Sequence, residues 1–175
     1  MVIMEFYLSV LIYCGFLECL YCIKILFQKK KVQISLKNFI NFQKLGYVAT
    51  VSTDNTPNLS PKGTIMVLDE SYLAFADIHS PQTVENLRHN PSTEINVVDP
   101  FRRRGYRFKG IAEIISSGDK FNKIISYYKE SGVKSSIKSI ILVKIEKISE
   151  VLSPLYDLGY TEEELKTKWK KHYKF

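Results

Sequence analysis

The sequence predicts a mainly β protein with helical insertions, a small antiparallel barrel of six short strands. Three observations carry that expectation. Short β-branched or alternating runs recur from Gly46 to Ile148, and turn residues punctuate them. The first three runs follow one another too closely for helical crossovers, which excludes a dinucleotide-binding unit of alternating strand and helix. Six short strands in an open sheet would also leave long edges exposed, and closure removes them.

Taken in order, Ser35 to Leu45 spaces Leu36, Phe39, Ile40, Phe42 and Leu45 as a helix, with Ser35 as its N-cap and Gly46 as its stop. Tyr47 to Thr53 is a first strand, and Asp54-Asn55 turns it into a hairpin. Its partner runs on through Thr64-Ile65-Met66-Val67-Leu68 as one second strand. Asp69-Glu70-Ser71 turns again, and Tyr72 to Ala76 alternates as the third. Ser80 caps a short helix with Pro81 in its first turn, which stops before Pro91 and turns Val84 and Leu87 inward. Thr93 to Val98 and Tyr106 to Ser116 are strands four and five. Gly118 to Ser131 is a helix with Phe121, Ile124, Ile125 and Tyr128 on one face. Ser139 to Ile148 is strand six, with Ile141, Val143 and Ile145 opposite Lys144 and Glu146. Beyond Pro154, Thr161 opens a final helix, acidic at its start and lysine-rich at its end, as the helix dipole favours.

The length of 175 residues suits one domain with appendages. The expected division is an apolar segment over 1–31, the barrel over 32–151 and a helical tail over 152–175. A net charge of +7 raises nucleic acid as a partner, but the cations are dispersed among Lys29 to Lys31, Arg102 to Arg104 and the last helix, a solvated surface and not a stripe. No nucleic-acid partner is expected. Cys14, Cys19 and Cys22 all lie in the apolar segment, and the lone C-x-x-C has no second pair, so neither a disulfide framework nor a metal site is expected.

The apolar segment, Val2 to Phe27, is interrupted by Glu5, Glu18 and Lys24, and its longest uncharged run is Phe6 to Leu17. That length is ambiguous between a span and a packed helix, and Glu5 argues against a secretory signal. A membrane anchor through 2–27 and an over-extended start stand as equal readings, with an ordinary packed helix behind them. If the segment spans, Lys24 and Lys29 to Lys31 hold the folded part on the cytoplasmic side, so a cytoplasmic domain is expected either way.

Small, hydroxylated and basic residues cluster at strand and helix starts between Gly46 and Gly110, where backbone N–H groups and cations can meet a phosphorylated ligand. Lys62 stands out, a charge placed in a strand between Pro61 and Gly63. There is no hydrolase nucleophile elbow, P-loop or dinucleotide fingerprint. His79 and His89 flank the short helix without an evident carboxylate partner, His172 lies among lysines, and Asp77 and Asp99 read as strand-end and turn residues. Trp169 and Tyr173 share a helical face suited to packing on the barrel or on a second copy.

Four segments in order, Gly46-Tyr47-Val48-Ala49-Thr50-Val51, Pro57-Asn58-x-Ser60-Pro61-Lys62-Gly63, Thr83-x-x-Asn86-Leu87-x-x-Asn90-Pro91 and Arg104-Gly105-Tyr106-Arg107-x-Lys109-Gly110, resemble the pyridoxamine 5′-phosphate oxidase-like FMN-binding split-barrel family. The likeness covers about Leu36 to Val151, and the tail from Tyr156 looks like that of small single-domain members. The resemblance implies a six-stranded split barrel of Greek-key type that forms a homodimer and holds FMN between subunits. By position it implies that Ser60, Pro61, Lys62, Gly63 and Thr64 lie along the isoalloxazine and that Ala76 and Asp77 end a strand beside it. Ser80, Gln82, Thr83 and Asn86 would face the phosphate end, and Arg104 and Gly105 would reach the flavin.

The chain departs from the family where Gln82 replaces a common Lys or Arg, where Ser60 replaces an Arg of the oxidase proper, and where no Arg/His pattern for a vitamin B6 substrate follows Val151. The first functional expectation is a flavin-dependent oxidoreductase or electron-transfer protein with a nicotinamide donor and no catalytic side chain, since the flavin carries the chemistry. The alternatives are a non-enzymatic flavin carrier, or a split barrel for deazaflavin or haem.

Overall fold

The computed structural model describes residues 35–175, so the expectations placed on residues 1–31, the anchor, the alternative start and the three cysteines, lie outside the described residues. Residues 40–175 form one compact unit, and residues 35–39 fall in another.

Residues 35–43 are helical (α1). Lys44 ends this helix in the left-handed region at φ 54°, its N–H donating to the Ile40 carbonyl at 2.9 Å, an arrangement that corrects the expected stop at Gly46. Gly46 instead opens strand β1 (Gly46–Val51), where a Cβ would come within 2.9 Å of the Asn96 carbonyl oxygen. A hairpin turn follows: Asn55 takes φ 63°, and Asp54 accepts the backbone and hydroxyl hydrogens of Thr56.

The expected second strand is broken. Strand β2 (Pro57–Lys62) ends before Gly63, and only Met66–Val67 resumes pairing as β3, so the sheet has seven strands and not six. The remaining strands are β4 (Tyr72–Asp77), β5 (Ser92–Asp99), β6 (Arg104–Ile115) and β7 (Ser139–Leu152). Helix α2 (Pro81–His89) joins β4 to β5, α3 (Asp119–Glu130) joins β6 to β7, and α4 (Glu162–His172) closes the chain after a 3₁₀ turn at Pro154–Tyr156. All pairs are antiparallel, in the order β2-β1-β5-β6-β7-β4-β3. The sheet curls into a split barrel whose two ends, β2 and β3, are bridged by residues 63–65 and not by a strand ladder.

Alternation sorts the side chains into two apolar layers. Val48, Leu73, Phe75, Ile95, Val97, Phe108, Ile141 and Val143 fill one face of the curled sheet, all fully buried. Burying rings such as Phe75 and Phe108 contributes roughly 2–3 kcal/mol each. On the other face, Met66, Ala74, Ala76, Ile140 and Leu142 receive Ile124 and Tyr128 of α3. The first five residues of β7 are therefore buried on both faces, whereas the alternation expected of this strand holds only beyond Val143. Strand β7 also runs four residues past the expected end at Ile148, paired with β6 down to Arg104.

The tail docks through the β5–β6 loop. Thr161 and Glu164 form a reciprocal capping box at the start of α4. The Arg103 guanidinium lies 3.5 Å from the centre of the Trp169 ring, and Phe101 meets Tyr173 and Phe175 edge to face.

Candidate functional site

Strand β2 has an inverted pattern for a strand at the end of a sheet. Its apolar residues face out, with Leu59 66% exposed, while Lys62 is only 6% exposed. Period two puts Asn58, Ser60 and Lys62 on one face, opposite Thr50, Val48 and Gly46 of β1. Burying such a polar stripe is unfavourable unless each group is partnered.

Two connected sets of hydrogen bonds satisfy it. At one end Thr50 Oγ1 accepts from Asn58 Nδ2 at 3.1 Å and from Asn86 Nδ2 at 3.0 Å, and Asn86 Oδ1 accepts from Gln82 Nε2 at 2.8 Å. Asn86 and Thr83 of α2 are as buried as Thr50. At the other end Lys62 Nζ donates to Ser60 Oγ at 2.5 Å. Burial pushes the Lys62 ammonium below its ordinary pKa, and the nearby Asp77 carboxylate offsets this in part. Asp77 in turn accepts from the Ser80 N–H at 3.1 Å and from Ser139 Oγ at 3.3 Å, which ties the end of β4 to the start of α2.

Two features leave this groove short of partners. Among the described residues Lys62 has no carboxylate within ion-pair distance. Ser80 holds the N-cap position of α2, but its side chain makes no capping bond, so the first-turn amides are left to another acceptor. Between them the chain is open at Gly63, where an added Cβ would meet nothing within 4 Å. A buried cation, uncapped helix amides and an open glycine fit an anionic, planar ligand.

The structure brings together Ser60, Lys62, Thr64, Ala76, Asp77 and Ser80 around the barrel split, with Gln82 and Thr83 in the first turn of α2 and Asn86 one turn further; Thr64 Oγ1 accepts the Ala76 N–H at 3.0 Å. Pro61 and Gly63 belong to the same segment, Pro61 facing outward. Arg104 and Gly105 stand elsewhere. Arg104 Nη1 donates to Glu162 at 2.8 Å and Nη2 to Glu150 at 2.6 Å; burial alone would lower its pKa, but these carboxylates outweigh it and hold it raised. Gly105 lets β5 and β6 approach, since a Cβ there would lie 2.2 Å from the Val97 carbonyl oxygen.

Sequence reasoning passed over Thr50, Asn58 and Ser139 as groove residues. The alternation of Asn58, Ser60 and Lys62 would have found Asn58. His89, expected to lack a carboxylate partner, has one: Nε2 lies 2.8 Å from Oε1 of Glu85 one turn earlier, on an exposed face. No cluster of metal-ligating side chains occurs among the described residues.

The fold defines a split-barrel protein, with the candidate groove at the barrel opening. The family model described as pyridoxamine 5′-phosphate oxidase matches residues 33–152, and the chain belongs to that family. HupZ of Group A Streptococcus is 31% identical, with a TM-score of 0.63 over 68% of this chain and 93% of HupZ. An FMN-binding protein of Syntrophomonas wolfei shares the fold at 17% identity and TM-score 0.63, over 79% of this chain and 99% of that one. HutZ, the heme storage protein of Vibrio cholerae, shares it at 18% identity and TM-score 0.55, over 67% and 92%.

Proposed function

We propose that the chain is an FMN-binding flavoprotein, an oxidoreductase or electron-transfer protein whose site is the groove at the barrel split. The observation that carries this reading is the inverted β2, which buries Lys62 without an ion pair among the described residues. A charge kept there costs folding free energy, and an anionic or electron-rich ligand offsets the cost. Ser60 accepts a hydrogen bond from the ammonium, and the Asp77 carboxylate offsets part of the effect of its burial. The free first-turn amides of α2, with Ser80 and Thr83 beside them, receive the phosphate. Gly63 admits the ring to within contact of the backbone. When bound, the flavin supplies hydride or single-electron chemistry, and the chain supplies position and field.

The exposed face of the same strand supports a homodimer. Pro57, Leu59 and Pro61 lie beside Tyr47, itself 45% exposed, an apolar strip along a sheet edge that a second copy would cover. A nicotinamide donor is the expected source of electrons, and a carrier without turnover is the rival within the same reading. Haem is the rival ligand, supported by the fold likeness to HutZ. Of the described histidines, His89 is engaged by Glu85 and His172 packs on Trp169, which leaves exposed His79, between Asp77 and Ser80, as the one bordering the groove. Mixing the full chain with FMN or with haem, followed by gel filtration and absorbance, tests the reading: co-eluting flavin supports it, and haem retained in its place overturns it.

A further inference from the structure

We infer that Tyr128, on the helix behind the sheet, is the positioning residue for the ligand-facing strand break. The inference rests on the reading of the barrel split as the ligand groove. The break at residues 63–65 has no strand neighbour of its own, so its conformation depends on a few bonds. Thr64 is held from two sides: its carbonyl accepts the Tyr128 hydroxyl at 2.7 Å, and its own hydroxyl oxygen accepts the Ala76 N–H at 3.0 Å. The next contact is weaker, the Ile65 N–H reaching the Lys44 carbonyl at 3.3 Å.

Tyr128 suits this role because its own position is fixed. It is 3% exposed and packs with Ile124 among Met66, Ala74, Ala76, Ile140 and Leu142. Burial also pushes its phenol pKa well up, so the hydroxyl remains a proton donor through the physiological range.

Beside the break lies a half-open surface pocket of about 100 Å³, lined by Gly63, Thr64, Ile65, Tyr127 and Tyr128 among others. Ile65 is buried and packs toward Gly46, so contact holds that residue, whereas Gly63 and Thr64 border the pocket and depend on their bonds for position. The Tyr128 bond therefore sets how far Gly63 and Thr64 stand toward the groove, where the flavin ring would lie.

The test is Tyr128→Phe in the full chain, which keeps the ring and its packing and removes the bond. In the ligand-free protein, the Ile65 amide within the break and the Ala76 amide bonded to Thr64 should exchange hydrogen about fivefold faster, the effect of one lost hydrogen bond. Amides in the centre of β6 should not change. Ile124→Val, which loosens the same packing without touching Thr64, should speed exchange across α3 and β7 and leave the Ile65 and Ala76 amides no faster than the rest. Unchanged exchange at Ile65 and Ala76 in Tyr128→Phe overturns the inference whatever the protein binds. If the wild type takes up FMN, the variant should bind it about fivefold more weakly with a shifted flavin spectrum; equal affinity and an identical spectrum overturn it. Failure of the wild type to bind FMN counts against the proposed function alone, and the exchange measurement still decides the role of Tyr128.

Discussion

Replacing Lys62 with Met separates a ligand-directed charge from a structural one. The side chain is 6% exposed, forms no ion pair among the described residues and makes one hydrogen bond, to Ser60. Met keeps much of the stem and removes the charge, so the fold loses one bond to a half-buried hydroxyl and is relieved of a buried ammonium. Unfolding temperature should stay level or rise. A charge-assisted hydrogen bond to the ligand is worth about 1.5–3 kcal/mol, so FMN should bind roughly 10- to 150-fold more weakly.

The pH dependence gives an independent sign. Burial lowers the folded-state pKa of Lys62 below 10.5, so between that lowered value and 10.5 the unfolded chain binds more protons than the folded one. Wild-type stability gains from Lys62 as pH rises through this window, and Lys62→Met should lack that gain. The assays are a fluorescence titration of FMN and thermal unfolding across pH. Unchanged FMN affinity, or a melting temperature lowered by several degrees, would refute the reasoning, because either would make the ammonium part of the scaffold.

Other substitutions probe separate parts. Gly63→Ala should leave the melting temperature of the ligand-free protein unchanged, because its Cβ meets nothing, yet reduce flavin retention; Gly105→Ala should cost several kcal/mol or prevent soluble expression, because its Cβ would collide with backbone of β5. Asp99 accepts the Phe101 and Arg102 N–H groups and pairs with Arg102 at 2.8 Å; burial alone would raise its pKa, but these bonds hold it below 3.8. Its contribution is therefore complete above that value and lost as pH falls through the lowered one, so Asp99→Asn should flatten the acid limb of a stability–pH curve. Trp169→Ala removes the ring under Arg103 and should destabilise the tail by about 1–2 kcal/mol, read as faster proteolysis within residues 153–175. Equal cleavage rates would show that the tail is held without it.

The β elements and all three later helices are legible in the sequence because turn residues and caps bound them: Asp54-Asn55, Asp69, Ser80-Pro81 and Thr161 each sit where the chain turns or a helix begins. The break at Gly63 is not legible. Thr64 to Leu68 carries strand-forming residues, and what stops pairing at 63–65 is tertiary, the grip of Ala76 and Tyr128 on Thr64. The expected helix stop at Gly46 failed for a similar reason, since the glycine is needed for its close approach to Asn96 and Lys44 could take the left-handed turn itself. Lys62 was visible as an anomaly from its neighbours alone. The engagement of Arg104 by Glu150 and Glu162 was not, because those partners lie 46 and 58 residues away.

The most direct test of the central claim is the absorbance of the full chain after mixing with FMN and gel filtration. The account predicts flavin visible bands travelling with the protein at about one flavin per chain, and their loss in Lys62→Met. A folded protein that elutes without flavin would contradict it, leaving the inverted strand β2 to be explained by another anionic ligand.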